Sequence, residues 1–138
     1  MIGLDTNILL RWLISADQGD IASRGAEIER VSQIVSAQGA KLFVNAVVIA
    51  ETAWILEQKL KLSRPDVSDI IGRMLFAQNI TVGNDAEMRA ALMQYESSNI
   101  DFADCAIAQL NLSAGCSHTL TFDRKTSRTP GFRHVDDQ

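Results

Sequence analysis

The sequence predicts an α/β fold, a three-layer α/β/α arrangement in which a short, mostly parallel sheet of four to five strands is covered by helices on both faces. Three observations predict it. Short apolar or β-branched runs alternate with segments of helical period, two of those runs end directly in an aspartate, and no Gly-, Ser- or Pro-rich linker divides them. At 138 residues, 46% of them hydrophobic, the chain has the length of one domain and enough apolar material for its core, so residues 1–138 are expected to fold as a single unit.

Ile2-Gly3-Leu4 reads as a short buried strand ending at Asp5, followed by an apolar helical turn, Ile8-Leu9-Leu10 with Trp12-Leu13. From Asp20 to Gln38, Ala26, Ile28, Val31, Ile34 and Val35 recur at near-helical spacing and predict an amphipathic helix with Gly39 as its C-cap. Leu42-Phe43-Val44 predicts a strand, and Asn45 the N-cap of a long helix through about Leu60 that carries Glu51 in its second turn. Ser63-Arg64-Pro65-Asp66 marks a break, with Pro65 in the first turn of a helix containing Val67, Ile70, Ile71, Met74 and Leu75. Ile80-Thr81-Val82 is a third strand, and Asn84 or Asp85 caps a helix through about Glu96. A further helix runs from Ile100 to Ala114 and stops at Gly115. Thr119 to Phe122 forms a fourth strand ending at Asp123, and Phe132 to Val135 a fifth.

Lys and Arg number 13 against 17 Asp and Glu, and the net charge of −4 argues against a protein that coats nucleic acid nonspecifically. A nuclease is not excluded, because a carboxylate metal site itself adds negative charge that bound metal offsets. Cys105 and Cys116 read as reduced core residues without zinc spacing, which points to a reducing compartment. His118 and His134 read as surface or strand-flanking residues. The start of the chain has no basic n-region, and no apolar run approaches the roughly 20 residues that span a bilayer. The expected location is cytoplasmic, with no membrane.

Four carboxylates, Asp5, Glu51, Asp104 and Asp123, lie at the edges of apolar runs. Unpaired buried carboxylates are costly, so acids set against core-building segments call for a cation, a hydrogen-bonding shell or protonation. In a parallel sheet ligands bind beyond the carboxyl ends of the strands, where Asp5 and Asp123 fall, and Glu51 and Asp104 enter from early helical turns near the same edge. Oxygen ligands without His or Cys suit Mg²⁺ or Mn²⁺ rather than zinc, and such sites commonly handle phosphates. Each acid also has a second reading. Asp5 can cap the following turn, Glu51 can face solvent, and Asp123 can cap a turn with Arg124. Asp101, three residues before Asp104, reads first as an N-cap and second as a residue supporting the metal ligands. Thr6 and Asn7 can support a carboxylate or a metal-bound water, or satisfy backbone groups; Thr121 is a supporting residue or only a β-branched strand position. Arg11, Lys59, Lys61, Arg124, Lys125 and Arg128 are candidate phosphate contacts or ordinary solvated surface. Trp12 and Trp54 read as core or dimer packing before base stacking.

Leu4-Asp5-Thr6-Asn7, the Ala50-Glu51 helix, Asp101-Phe102-Ala103-Asp104-Cys105-Ala106-Ile107-Ala108 and Thr121-Phe122-Asp123-Arg124, taken in order and spacing, resemble a PIN domain, and in particular the VapC toxins. The resemblance covers almost the whole chain. It implies a single PIN domain over 1–138 with endoribonuclease activity dependent on Mg²⁺ or Mn²⁺. It also implies a homodimer, an RNA substrate and a cognate VapB-like antitoxin. On the same footing Asp5, Glu51, Asp104 and Asp123 are the catalytic metal ligands, supported by Thr6, Asn7, Asp101 and Thr121. Arg11, Arg124 and Lys125 are the substrate contacts. Attack of a metal-activated water on an RNA phosphodiester is the expected reaction.

Two other classes compete. A PIN-like module that only binds RNA or an antitoxin needs no acids, and all four are present. A Mg-dependent phosphoacceptor or phosphatase also places Asp at strand ends, but the Asp-x-Asp start of the phosphatases is here Asp5-Thr6-Asn7.

Overall fold

The computed structural model describes residues 1–18, 25–37, 39 and 41–138. Strand β1 (Ile2–Gly3) leads into helices α1 (Thr6–Gln18) and α2 (Gly25–Ser36). Strand β2 (Leu42–Val44) is followed by α3 (Ala46–Trp54), a π turn (Ile55–Lys59) and α4 (Arg64–Leu75). Strand β3 (Ile80–Val82) precedes α5 (Asp85–Glu96) and α6 (Phe102–Ser113). The chain then forms β4 (Thr119–Thr121), α7 (Arg124–Ser127), β5 (Phe132–His134) and a 3₁₀ turn (Val135–Asp137). The alternation expected of an α/β/α fold is present throughout.

All strand pairs are parallel, and their ladders fall into two groups, β1-β2-β3 and β4-β5. Leu42 pairs with Ile2 and Ile80, and Thr121 with His134. Among the described residues there are five strands, within the four to five expected, although the hydrogen bonds divide them three and two. Because parallel neighbours need crossover connections, helices lie between β1, β2 and β3 and supply the covering layers. Strand β1 departs from the reading of a buried strand: Ile2 is 46% exposed. It is the outer strand of its ladder, with β2 on one side only.

The core joins Leu42 and Val44 of β2, Ile49 of α3, Ile71 and Met74 of α4, Met88 and Tyr95 of α5 and Phe102 of α6. Helix α5 packs along α4 and α6, and α3 packs against α6 and α1. Caps fix the helix starts. Asn45 accepts from the Val48 N–H at 2.9 Å, and Ser63 from Asp66 N–H at 3.3 Å with Pro65 in the first turn. Asn84, with φ 55°, occupies the N-cap of α5 without a side-chain bond. Gly83 permits close approach, since a Cβ there would meet the Phe43 ring at 3.0 Å and Asn45 Cα at 3.3 Å.

Several single-residue expectations change. The start of the helix read from Asp20 lies outside the described residues; among those described, the helix spans Gly25–Ser36. The helix read from Ile100 begins at Phe102. Cys105 is buried as expected, whereas Cys116 is exposed in the turn after Gly115, whose φ of +100° ends the helix. His134 is buried, because its ring is tied on both nitrogens: Nδ1 accepts the Asp136 N–H at 3.1 Å and Nε2 donates to Phe122 O at 2.9 Å. Among the described residues, no helix is long and apolar enough to cross a membrane.

Candidate active site

The parallel register of β1 and β2 brings the start of α1 beside α3. Asp5 is exposed and caps α1, its Oδ1 accepting the Ile8 N–H at 3.0 Å. The next residue, Thr6, is buried and its hydroxyl donates to Glu51 Oε1. Thr6 therefore fixes one carboxylate oxygen of α3 from the end of β1. Glu51 is exposed, so the solvent-facing reading of its helix position holds for part of the side chain. Asn7 is exposed.

A second group of acids gathers at the start of α6. Asp104 is half-buried, and its carboxyl is pushed above its ordinary value by burial first, then by the negative charges of Asp101 and Asp123. Asp123 N-caps α7, with Oδ1 accepting from Lys125 N–H at 2.9 Å and Thr126 N–H at 3.5 Å, and the Lys125 backbone bond leads in lowering its pKa. Thr121 sets that turn by accepting the Asp123 N–H at 3.1 Å. The capping and metal readings of Asp5 and Asp123 are thus compatible, since one oxygen of each carboxylate serves the helix and leaves the other for a ligand.

Asp101 occupies the N-cap position of α6 with extended backbone, but its side chain makes no capping bond. The capping reading fails for a physical reason. Its carboxyl lies beside that of Glu57 instead. Glu57 rises from 4.5 to about 7, through burial first and then the charge and hydrogen bond of Asp101. A row of mutually repelling acids therefore runs Glu57, Asp101, Asp104, Asp123. Sequence reasoning missed Glu57, although it directly follows the apolar run Ala53-Trp54-Ile55-Leu56. It also missed Arg64, whose guanidinium lies 3.9 Å from the Tyr95 ring centroid and reaches Tyr95 O, Ser98 O and Ile100 O at 2.7, 3.0 and 3.0 Å.

Helices α3 and α6 pack together, and Glu51 of one and Ala103 of the other line a shared groove. Its walls are apolar, with Val47, Ala50 and Trp54 opposite Ala106, Ile107 and Leu110. Val47 is 76% exposed. Trp54 is thus a groove residue, while Trp12 packs against the core. Phe122, next to Asp123, is 85% exposed and was read only as a strand residue.

Burial was expected to force the acids toward a cation, and that argument holds for Asp104 alone, because Asp5, Glu51 and Asp123 face solvent. Among the described residues no three His, Cys, Asp or Glu side chains stand close enough to hold a metal ion. The donor chemistry nevertheless fits one. The candidate donors are all carboxylate oxygens, and a cation beside Asp104 would relieve the repulsion from Asp101 and Asp123.

The candidate phosphate contacts differ in setting. Arg124 pairs with Asp136 and Asp137, each at 3.2 Å and exposed. Lys59 lies 5.7 Å from the Trp54 ring centroid. Lys125 is exposed beside Asp123, and Arg11 lies on α1, one turn beyond Asn7.

The PIN domain family model matches residues 2–132 of this chain. The chain is also 27% identical over 133 residues to a VapC ribonuclease of Aquifex aeolicus (strain VF5), covering 96% of this chain and 94% of that protein.

Proposed function

The chain belongs to the PIN domain family, and from that premise we propose that it is an endoribonuclease dependent on Mg²⁺ or Mn²⁺, acting as the toxin of a toxin-antitoxin pair. The observation that carries the reading is the PIN domain match over residues 2–132, which spans Asp5, Glu51, Asp104 and Asp123; the crowding of Asp104 by Asp101 and Asp123 at the start of α6 supports it. A bound cation would offset that repulsion. The likeness to a VapC ribonuclease supports RNA as the substrate.

Asp5, Glu51, Asp104 and Asp123 would hold the metal, with Thr6 orienting Glu51 and Thr121 orienting the Asp123 turn. When bound, the divalent ion supplies charge neutralisation at a phosphodiester and a more acidic water. Asn7 and Asp101 support the carboxylates from their flanks. Arg11, Lys125 and Arg124 contact backbone phosphates, Arg124 by exchanging exposed ion pairs that are individually weak. Phe122 offers an exposed ring on which a base can stack.

The groove between α3 and α6 is the surface we assign to a second copy of the chain, consistent with a homodimer, and a VapB-like antitoxin is the regulating partner. The location is cytoplasmic.

Purified protein is expected to cleave single-stranded or structured RNA with Mg²⁺ or Mn²⁺ and to stop on addition of EDTA. No metal-dependent cleavage across a broad RNA panel would instead favour a binding module. Labelling of Asp5 by acetyl phosphate would favour a phosphoacceptor.

A further inference from the structure

We propose that Gln94, oriented by Gln109, is a positioning residue: it docks the β4–α7–β5 unit on α6 and so sets the place of Asp123 relative to Asp104. The link to metal and cleavage rests on the nuclease reading; the docking does not.

Asp104 and Asp123 come to the site on separate parts of the fold. Asp104 belongs to the first turn of α6. Asp123 joins β4 to α7, in a two-stranded ladder that among the described residues shares no pairing with β1-β2-β3. The unit is well tied internally. Thr119 N–H bonds to Gly131 O at 2.8 Å, Thr129 N–H to Thr126 O at 2.9 Å, and the buried His134 ring donates to Phe122 O, next to Asp123, at 2.9 Å. Where Asp123 lies therefore follows from how the whole unit is seated.

Helix α6 offers the seat on the side that carries Asp104. Ala108, Asn111 and Leu112 follow Asp104 by four, seven and eight residues, the spacing of one helix face. Asn111 Nδ2 donates to Thr119 Oγ1 at 2.9 Å and holds the start of β4. Gly131, with φ +93°, runs against the same face, since a Cβ there would meet Ala108 Cβ at 3.4 Å and Leu112 Cδ1 at 3.6 Å.

Gln94 adds a hold from a second helix, α5. Its Nε2 donates to Pro130 O at 2.6 Å, while Gln109 Nε2 donates to its Oε1 at 3.0 Å. The direction of this relay is fixed by its last member. A carbonyl only accepts, so Gln94 must turn its amide nitrogen to Pro130 and its oxygen to Gln109, which must then present its own nitrogen. Helix α6 thus grips the turn before β5 twice, by direct packing on Gly131 and through Gln94. None of these side chains is a candidate metal ligand, so each can act on the site only through the unit that carries Asp123.

The test uses the full chain and two readings. The NMR contact between the Gly131 α-protons and the Ala108 methyl group reports the seating without metal, and titration calorimetry with Mn²⁺ reports the site. Gln94→Glu keeps an acceptor for Gln109 but faces Pro130 O with an oxygen. It is expected to weaken the contact and to lower Mn²⁺ affinity about 10-fold, opposite to what an added negative charge does for a cation. Gln94→Met removes both bonds at similar length and is expected to behave alike, which covers a Glu variant that fails to fold. Asn111→Asp is the conservative control. The Thr119 hydroxyl can reverse and donate to the new carboxylate, so contact and affinity are expected to be retained. A weakened contact with unchanged Mn²⁺ affinity would make Gln94 merely structural and overturn the proposal, as would an unchanged contact in both Gln94 variants. No Mn²⁺ binding by the wild-type chain would overturn the nuclease reading and the positioning role together, with the docking still decided by the NMR contact.

Discussion

The Thr6 hydroxyl donates to the Glu51 carboxylate across 45 residues of sequence, joining the start of α1 to the second turn of α3. Glu51 is otherwise an exposed side chain on a helix, free to sample several rotamers. A buried threonine thus selects the orientation of an exposed acid.

Replacing that threonine should show how much the orientation matters. Thr6→Val keeps the volume and removes the donor, so cleavage is expected to fall while stability changes by only about 1 kcal/mol, typical of one hydrogen bond. Thr6→Ser should restore activity. Equal activity in all three proteins, measured with one RNA at saturating metal, would remove Thr6 from the site.

Asp104 should trade stability for activity. Burial and two neighbouring acids disfavour its anion, so Asp104→Asn is expected to abolish cleavage and raise the melting temperature of metal-free protein. Differential scanning calorimetry with an activity assay reads both effects. A lower melting temperature would mean that Asp104 makes a structural bond worth more than the repulsion it suffers.

Glu57 gives stability a pH dependence of defined sign. Its carboxyl titrates at about 7 in the folded protein against 4.5 in the reference state, so between those values the folded chain keeps a proton that the unfolded chain has released. Stability then falls as pH rises through this window and levels off above it. Glu87 and Asp123, both held below their ordinary values, act at lower pH, whereas Asp104, raised above its own, adds a slope of the same sign as that of Glu57. Urea unfolding at about pH 5 and about pH 8 should show the slope, and Glu57→Gln should reduce it. An identical slope in that variant assigns the effect elsewhere.

Arg64 should not tolerate lysine. One nitrogen with two protons serves three carbonyl oxygens, so at least one proton is shared, and the guanidinium plane also stacks on Tyr95. An ammonium reproduces neither arrangement. Arg64→Lys is expected to destabilise the fold by about 2 kcal/mol, the scale of a charged hydrogen bond. Chemical denaturation checks this, and a change below about 0.5 kcal/mol would place Arg64 among ordinary surface residues.

The parts of this protein that could be read from its sequence are those in which local signals agree. Asn45 and Ser63 are capping residues followed by helical periods, and Leu42 to Val44 and Ile80 to Val82 are short β-branched or aromatic runs; each element lies where those signals put it. What escaped depends on contacts between distant segments. Asp101 has the spacing of a cap, and only the arrival of Glu57, 44 residues earlier in the chain (101 − 57), diverts it. The π turn leaves no compositional mark, and His134 is buried through bonds to Phe122 and Asp136 that no period encodes. Of the site, the acids were legible as types and positions. Their division into a Thr6–Glu51 pair and an Asp101–Asp104–Asp123 group was not.

Asp5 and Asp123 each hold up the first turn of a helix with the same carboxylate proposed to meet a metal. Alanine scanning would therefore confound two losses at these positions, since removing the side chain unravels a turn as well as deleting a ligand. Asparagine, an equally good cap, separates them. A phenotype seen with Ala but absent with Asn reports folding, and only one shared by both speaks to chemistry.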